Sequence, residues 1–574
     1  MAGQGATLIH GGRVVDGTGA APFTADVLVE DGRIAAVGAV EAPGAAVIDA
    51  AGCFVTPGFV DVHTHYDGQA IWSSNLAPSS QNGVTTVVMG NCGVGFAPCR
   101  PGDHGLLISA MEGVEDIPGA VMAEGLTWEW ETYPQYLDAL EARSRDINVA
   151  SMLPHSCLRV YAMGERGAAR EPATAEDLSR MAAIANEAAE AGAMGFATSS
   201  VDIHRRGDGV HIPSYEAAEA ELTAVATAFG HGRDGVFQMV PSFGTTKEDI
   251  QARVDSLARI SAKAELTVTF TLATLVAPSM RMVMDAVTEA NRREGVVLRP
   301  QVLPKPIGFL VGHDVSANPF VLCPSYKAIA HLPLAERVAE LRKPAVRARI
   351  LSEEPDEALL PLVRFARNFG QTFRLEGGPP CEPNPDDSLA AMAERRGVTP
   401  AELAYDLLLE DEGHALLTVA LGSIAGGPRD DVFDILRRTD VVVALGDGGA
   451  HYGMICDACY PSLLLSYWGR DRTRGTLPVG EAVRALTATP AATFGFSDRG
   501  RIAPGLRADI NVVDFERVGV GPLQVRNDLP AGGKRLHQSG RGYRATLVAG
   551  VPITRDDTPT GALPGRLVRR GAFT

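Results

Sequence analysis

Beyond residue 170 the hydrophobic positions fall into an alternating rhythm of amphipathic helical stretches and short apolar runs. Residues 174–191 (T-A-E-D-L-S-R-M-A-A-I-A-N-E-A-A-E-A) predict a helix, with Thr174 or Asp177 as start signal and Gly192 as stop. A-M-G-F-A-T-S-S follows as a strand. Next come a helix over Glu216 to Phe229, the strand G-V-F-Q-M-V, a helix around Lys247 to Lys263 and the strand L-T-V-T-F-T-L-A. The pattern then gives a helix around Met282 to Arg293 and the strand V-V-L-R-P-Q-V-L. Repeated units of this length predict an α/β fold built on a closed (β/α)8 TIM-like barrel. The open doubly wound sheet is the competing arrangement, and no G-x-G-x-x-G follows a first strand to support it.

The two ends of the chain have a different texture. A-T-L-I-H-G-G-R-V-V-D-G-T-G and A-D-V-L-V-E-D-G-R-I-A-A-V-G alternate β-favouring residues with glycine turns, and Asp31-Gly32 is a hairpin signal. Gly500 to Phe515 and Arg544 to Thr554 repeat that texture near the other end. Both termini are therefore expected to build one small β domain, a β-sandwich, from residues 1–57 and 499–574. The barrel then occupies 58–498. An insertion at about 304–400 interrupts it, marked by Pro304, Pro306, Pro319 and Pro324, a charged helical run over Leu332 to Leu351, and Pro379, Pro380, Pro383 and Pro385. Its position after a barrel strand suits either a cover over the site or an added structural layer.

Composition narrows the class of partner. Apolar residues make up 45% and charged residues 21% of the 574, a globular balance with room for more than one domain. The net charge of −17 speaks against nucleic acid and anionic membrane as partners but identifies no substrate by itself; a small-molecule substrate is expected, and homo-oligomerisation stays open. No secretory signal precedes Leu8 and no long apolar span occurs. The eight cysteines are scattered rather than framed for disulfides, so a reduced, cytoplasmic setting is expected. Cys456-Asp-Ala-Cys459 is a lone C-x-x-C and is read as structural.

The chemistry concentrates between Val55 and Cys92. V-T-P-G-F-V-D-V-H-T-H-Y-D brings a buried-strand pattern up to His63 and His65, which share one side of an extended chain. G-V-T-T-V-V-M-G-N-C-G then reads as the next strand, ending at Cys92. Two imidazoles beside a thiol make a mixed N/S site that suits zinc. Far downstream, V-V-V-A-L-G-D-G-G-A-H-Y puts Asp447 at the end of an apolar run, where barrel enzymes carry catalytic groups. An ordinary Asp-Gly turn is the plainer alternative there.

The first of these segments resembles the amidohydrolase superfamily, in which P-G-F-V-D-x-H-x-H closes the first strand of a metal-bearing (β/α)8 barrel. G-V-T-T-V-V-x-G-N-C-G resembles its N-acyl-D-amino-acid deacylase branch. G-L-R-A-D-I-N-V-V-D is similar to the family's return segment into the β domain. The resemblance implies that Asp447 touches the metal and shuttles protons as general acid and base. It also implies two further histidines on the later strands. Here those strands read V-F-Q-M-V-P-S and L-T-V-T-F-T-L-A, with Gln238, Val240, Thr269 and Thr271 in that neighbourhood. One zinc held by His63, His65 and Asp447 is therefore expected rather than two, and Cys92 is the ligand whose place is in question. No lysine lies on the strands of the barrel's first half, unlike the dihydropyrimidinase and urease branches.

Three loop histidines follow predicted strands: His155, His204 and His451. With Arg159 and Arg205 they are the candidates for contacting substrate, a guanidinium being suited to a carboxylate; Arg206 shares that candidacy. The expected activity is hydrolysis of a C–N amide bond by activated water, the resemblance implying an N-acyl (D-)amino acid. Hydrolysis of a lactone or cyclic amide on the same scaffold, and a non-catalytic metabolite-binding descendant, are the alternatives.

Overall fold

Short apolar strands, buried on both faces, form the centre of the molecule. In chain order they are β1 (Phe59–Asp61), β2 (Val84–Met89), β3 (Asn148–Ser151, running on into Leu153–Pro154), β4 (Gly195–Ser199), β5 (Val236–Val240), β6 (Thr267–Thr271), β7 (Val297–Val302) and β8 (Val442–Val443). The computed structural model describes residues 5–232, 234–272, 277–354, 361–375, 380–421 and 430–571. Each strand pairs in parallel with the next. Past the strand ends, Asp447 N donates to His63 O at 3.1 Å and His65 N to Gly448 O at 2.8 Å, which joins the last strand to the first. This is the order of a parallel (β/α)8 barrel.

Helices cover the outside, as an all-parallel sheet requires. Six of them matter here: α1 (His104–Glu115), α2 (His155–Met163), α3 (Ala175–Glu190), α4 (Glu219–Thr227), α5 (Lys247–Ala264) and α6 (Ala277–Ala290). Thr174, not Asp177, caps α3. Its hydroxyl accepts from Asp177 N at 3.2 Å while Asp177 Oδ2 accepts from Thr174 N at 2.9 Å, a reciprocal capping box. Thr246 and Asp249 repeat the device on α5. Among the described residues no helix is long and apolar enough to cross a membrane.

After β7 the chain leaves the barrel. Gly308–Val311, Thr372–Arg374 and Leu417–Ala420 form a separate antiparallel sheet, with the last strand in the middle. Helices Leu334–Leu341, Pro344–Ser352, Leu389–Arg396 and Pro400–Leu408 pack with it around Phe309, Phe320, Tyr326 and Tyr405. The excursion thus runs past residue 400 to Ala420, because its central strand comes last. Residues 355–360 and 376–379, which include Pro379, lie outside the described residues, as does Ala273 beyond β6.

The two termini meet in one nine-stranded sheet, where Phe54–Pro57 lies between Thr7–Val14 and Ile510–Val513. Ile9, Val27, Val55, Val512 and Leu547 share its core. Asp31 and Gly32 both have positive φ (48° and 75°), as a tight primed hairpin turn demands. Gly58 is the single residue between this sheet and β1. A Cβ there would meet Thr85 Oγ1 at 2.2 Å and Cγ2 at 2.4 Å, and Thr85 is itself buried in β2. Gly58→Ala is therefore expected to destabilise the protein by about 1–3 kcal/mol through overpacking. Urea unfolding with unchanged slope would measure it; an unchanged midpoint would mean that β1 and β2 can part freely.

Candidate metal centre

The chain extends beyond β1 and carries His63 and His65 to the barrel's C-terminal mouth. His63 Nδ1 is fixed at 2.6 Å from Gln301 Oε1 on β7, and His65 Nδ1 lies 3.4 Å from Glu115 Oε1 at the end of α1. The Gln301 contact fixes the His63 ring by Nδ1 and so directs its Nε2 toward the cluster, while Glu115 lies close behind His65. Cys92 Sγ lies 3.5 Å from His63 Nε2 and 3.8 Å from His65 Nε2. Asp447 Oδ1 lies 3.5 and 3.7 Å from the same two nitrogens. Ligand atoms around a tetrahedral metal stand about 1.6 bond lengths apart, about 3.3–3.8 Å for N, O and S donors. His63, His65 and Cys92 offer donor atoms that all lie within 4.8 Å of one another, and Asp447 Oδ1 keeps the tetrahedral spacing to the two imidazole nitrogens.

Backbone strain helps to hold the thiol there. Cys92 has φ +56°, and its N–H donates to Gln238 Oε1 at 3.2 Å on β5. The preceding Gly90 has no room for a side chain, since a Cβ would come 2.2 Å from Met152 O. Asp447 is likewise left-handed, at φ +46°, anchored by its N–H to His63 O. Its side chain is 20% exposed, whereas those of His63 and His65 are 3% and 1% exposed, so the cluster opens to solvent on the Asp447 side. Burial pushes the Asp447 carboxyl up to about 7, against the pull of the Lys305 charge. Burial also drives the Cys92 thiol well above its usual range and lowers His63 to about 4.

Two of the loop histidines belong to this neighbourhood. His451 Nε2 lies 3.4 Å from Glu115 Oε2, and its backbone N–H donates to Glu115 O. His204 stands beside His451 and His63; burial first, then those two rings, brings its pKa down to about 3. The Nδ1 atoms of both His204 and His451 are buried without a hydrogen-bond partner.

His155 and Arg159 have a different task. Glu221 on α4 takes His155 Nε2 at 2.8 Å and Arg159 Nη1 on both carboxylate oxygens, and Thr198 Oγ1 lies 2.9 Å from His155 Nδ1. The histidine and arginine of L-P-H-S-C-L-R thus pin α2 to α4 inside the wall and offer nothing to a substrate. Arg205 is also committed, to Asp202 and to Gly209 O within its own loop, and Arg206 is paired with Asp208. The carboxylate-binding role expected of these arginines is therefore corrected. Sequence reading missed Glu115, Gln301 and Lys305. Glu115 ends an ordinary amphipathic helix and Gln301 sits inside an apolar strand, so neither carried a local signal. Lys305 follows β7, with Nζ 2.7 Å from Asp457 Oδ1. Cys456 and Cys459 are buried and free, Cys459 Sγ donating to Cys456 O and Gln538 Oε1.

A sequence model described as the amidohydrolase family matches residues 46–554 of this chain. The chain belongs to that family. This amidohydrolase is 29% identical to an uncharacterized protein of Mycobacterium tuberculosis, over 88% of this chain and 84% of the relative. It is 26% identical to the D-aminoacylase of Alcaligenes xylosoxydans xylosoxydans, over 98% of both. Among solved structures, the N-acyl-D-glutamate deacylase of Bordetella bronchiseptica, complexed with zinc and a phosphonate inhibitor, has a TM-score of 0.63. It shares 25% identity and covers 98% of this chain and 99% of its own. The family and these relatives support metal-dependent amide hydrolysis as the class of chemistry.

The Glu221 network gives a test that is independent of the metal. Burial raises the Glu221 carboxyl, but His155 and then Arg159 outweigh burial and bring it down to about 2 from 4.5. Its stabilising contribution is therefore complete above pH 4.5 and is lost as pH falls toward 2. Glu221→Gln leaves Arg159 buried without its counter-charge, an expected loss of about 3–5 kcal/mol at neutral pH. Thermal unfolding followed from pH 7 downward measures both: the gap between wild type and variant narrows below pH 4.5.

Proposed function

We propose that this amidohydrolase cleaves the C–N bond of an N-acylated amino acid with one divalent metal, zinc, held by His63, His65, Cys92 and Asp447. The observation that carries the reading is that Cys92 Sγ and Asp447 Oδ1 each lie 3.5–3.8 Å from both imidazole Nε2 atoms. Absence of histidine from β5 and β6, where Gln238, Thr269 and Thr271 stand, supports one metal over two. A bound zinc ion supplies Lewis acidity, polarising a carbonyl and bringing the pKa of water near about 7.

The remaining roles fall to this chain's own groups. Asp447 Oδ2 has no hydrogen-bond partner among the described residues and faces the open side, so it is the atom that takes a proton and returns it to the departing nitrogen. Gln301 and Glu115 keep the imidazoles aimed while charge shifts. His204 and His451, with unpartnered Nδ1 atoms, line the approach and offer hydrogen bonds to the acyl group. The N-acyl amino acid as substrate rests on the similarity to a D-aminoacylase and an N-acyl-D-glutamate deacylase.

A second reading rests on a specific observation. Arg159 and Arg205 are spoken for, and Lys305 is neutralised by Asp457. Recognition of a free substrate carboxylate therefore lacks an unpaired cation among the described residues that surround Asp447. A neutral amide, a cyclic amide or a lactone suits that charge balance better. A hydrolysis screen of N-acyl-D- and N-acyl-L-amino acids, their amides, hydantoins and lactones decides between the two. Activity confined to uncharged substrates would retire the first reading.

Two variants test the centre. His65→Ala is expected to lose bound metal and at least about 100-fold in turnover, since even weakened supporting contacts cost up to that much. Elemental analysis alongside kinetics checks it, and full metal content with full turnover would remove His65 from the site. Asp447→Asn keeps size and one acceptor oxygen but takes no proton at neutral pH. It is expected to lower turnover about 10²–10⁴-fold with a smaller effect on KM. A metal-loaded variant within a few-fold of wild type would reduce Asp447 to a turn residue.

A further inference from the structure

At the opposite end of the barrel from Asp447, the first residues of β6 and β7, Thr267 and Val297, open into a cavity of about 790 Å³. Arg299, Arg484, Arg499 and Arg501 line it, with Thr439, Thr489 and Ser497, and no aspartate or glutamate is among its lining residues. Arg499 is committed to Asp498 and to Thr86 Oγ1. The other three arginines have no ion-pair partner among the described residues. Of the acids adjacent in sequence, Asp440 is paired with Arg438 and Glu481 with Arg437, while Asp16 Oδ1 accepts from Thr18 at the rim.

The cavity is walled by both domains of the fold. The loop after Thr7–Val14 is pressed onto the barrel at Gly17, where a Cβ would lie 3.1 Å from Thr487 Oγ1 at a φ of +85°. Two residues on, Arg484 Nη1 would be 2.8 Å from a Cβ on Gly19, so the loop backbone holds that guanidinium against the wall. Phe496 and Val297 supply an apolar side.

Three guanidinium groups without an ion-pair partner among the described residues line one cavity with no acid in its lining, on a chain of net charge −17, and apart from a bond from Arg299 Nη1 to Leu298 O their donor forks are available. A phosphate group matches such forks bidentately and adds acceptors for the hydroxyls. We propose that this cavity binds a small phosphate-bearing molecule, its phosphate on Arg299, Arg484 and Arg501 and any organic part against Phe496 and Val297. The site is separate from the metal centre, and it stands whichever substrate the centre takes.

Calorimetric titration of the metal-loaded protein at fixed ionic strength tests this, with inorganic phosphate, glycerol 3-phosphate and succinate as separate arms. Saturable binding of inorganic phosphate is expected, with succinate weaker; the tighter of the two phosphate arms tells free phosphate from a phosphomonoester. Arg299→Gln and Arg484→Gln should each weaken binding about tenfold or more. Arg501→Gln, at an exposed position, gives the same readout should either of those variants fold poorly. Non-saturable phosphate heats, succinate binding more tightly than both phosphates, or unchanged affinity in the folded arginine variants would overturn the proposal.

Discussion

Two backbone hydrogen bonds govern the centre of this molecule: Asp447 N to His63 O, and His65 N to Gly448 O. They join the stretch beyond the last strand to the stretch beyond the first, so the seam of the barrel and the proposed metal donors are one structure. A donor cluster tolerates errors of only a few tenths of an ångström, and loops alone rarely deliver that. Here the register of a parallel ladder delivers it. Gln301 and Glu115 then set the rings, and the left-handed turns at Cys92 and Asp447 bring sulfur and oxygen in from their own strands.

That arrangement concentrates buried acid. Burial raises Asp61 to about 8, Asp67 and Asp447 each to about 7, and Glu115 well above the ordinary carboxylate range. Lys305, the cation acting on Asp447, is shared with Asp457. Carboxyl groups at such density resist joint ionisation unless positive charge is brought among them. The same balance explains why Arg159 is better read as part of the wall. Its charge is consumed by Glu221.

His63, His65 and Asp447 were legible in the sequence because each is announced by its own strand: an apolar run, then the reactive residue. The barrel was legible for the same reason, since helix and strand periodicities are local. Glu115 and Gln301 were not, because what makes them functional is a neighbour 50 or more residues away. His155 and Arg159 misled in the opposite sense. They follow a strand as site residues do, yet α2 begins at His155 and turns both inward onto α4. The excursion after β7 was visible from its prolines, but its far boundary depended on a strand, Leu417–Ala420, that pairs with two earlier ones.

The nine-stranded sheet has a consequence for how the chain is made. Thr7–Val14 and Phe54–Pro57 leave the ribosome first, whereas Ile510–Val513, which pairs along the open side of Phe54–Pro57, comes about 450 residues later. At about 5–20 residues per second, that edge waits on the order of a minute for its partner. During this interval it presents unpaired amides to any other nascent chain on the same message. The demand on production of this enzyme thus falls on the sheet that joins distant parts of the chain, away from the donor cluster.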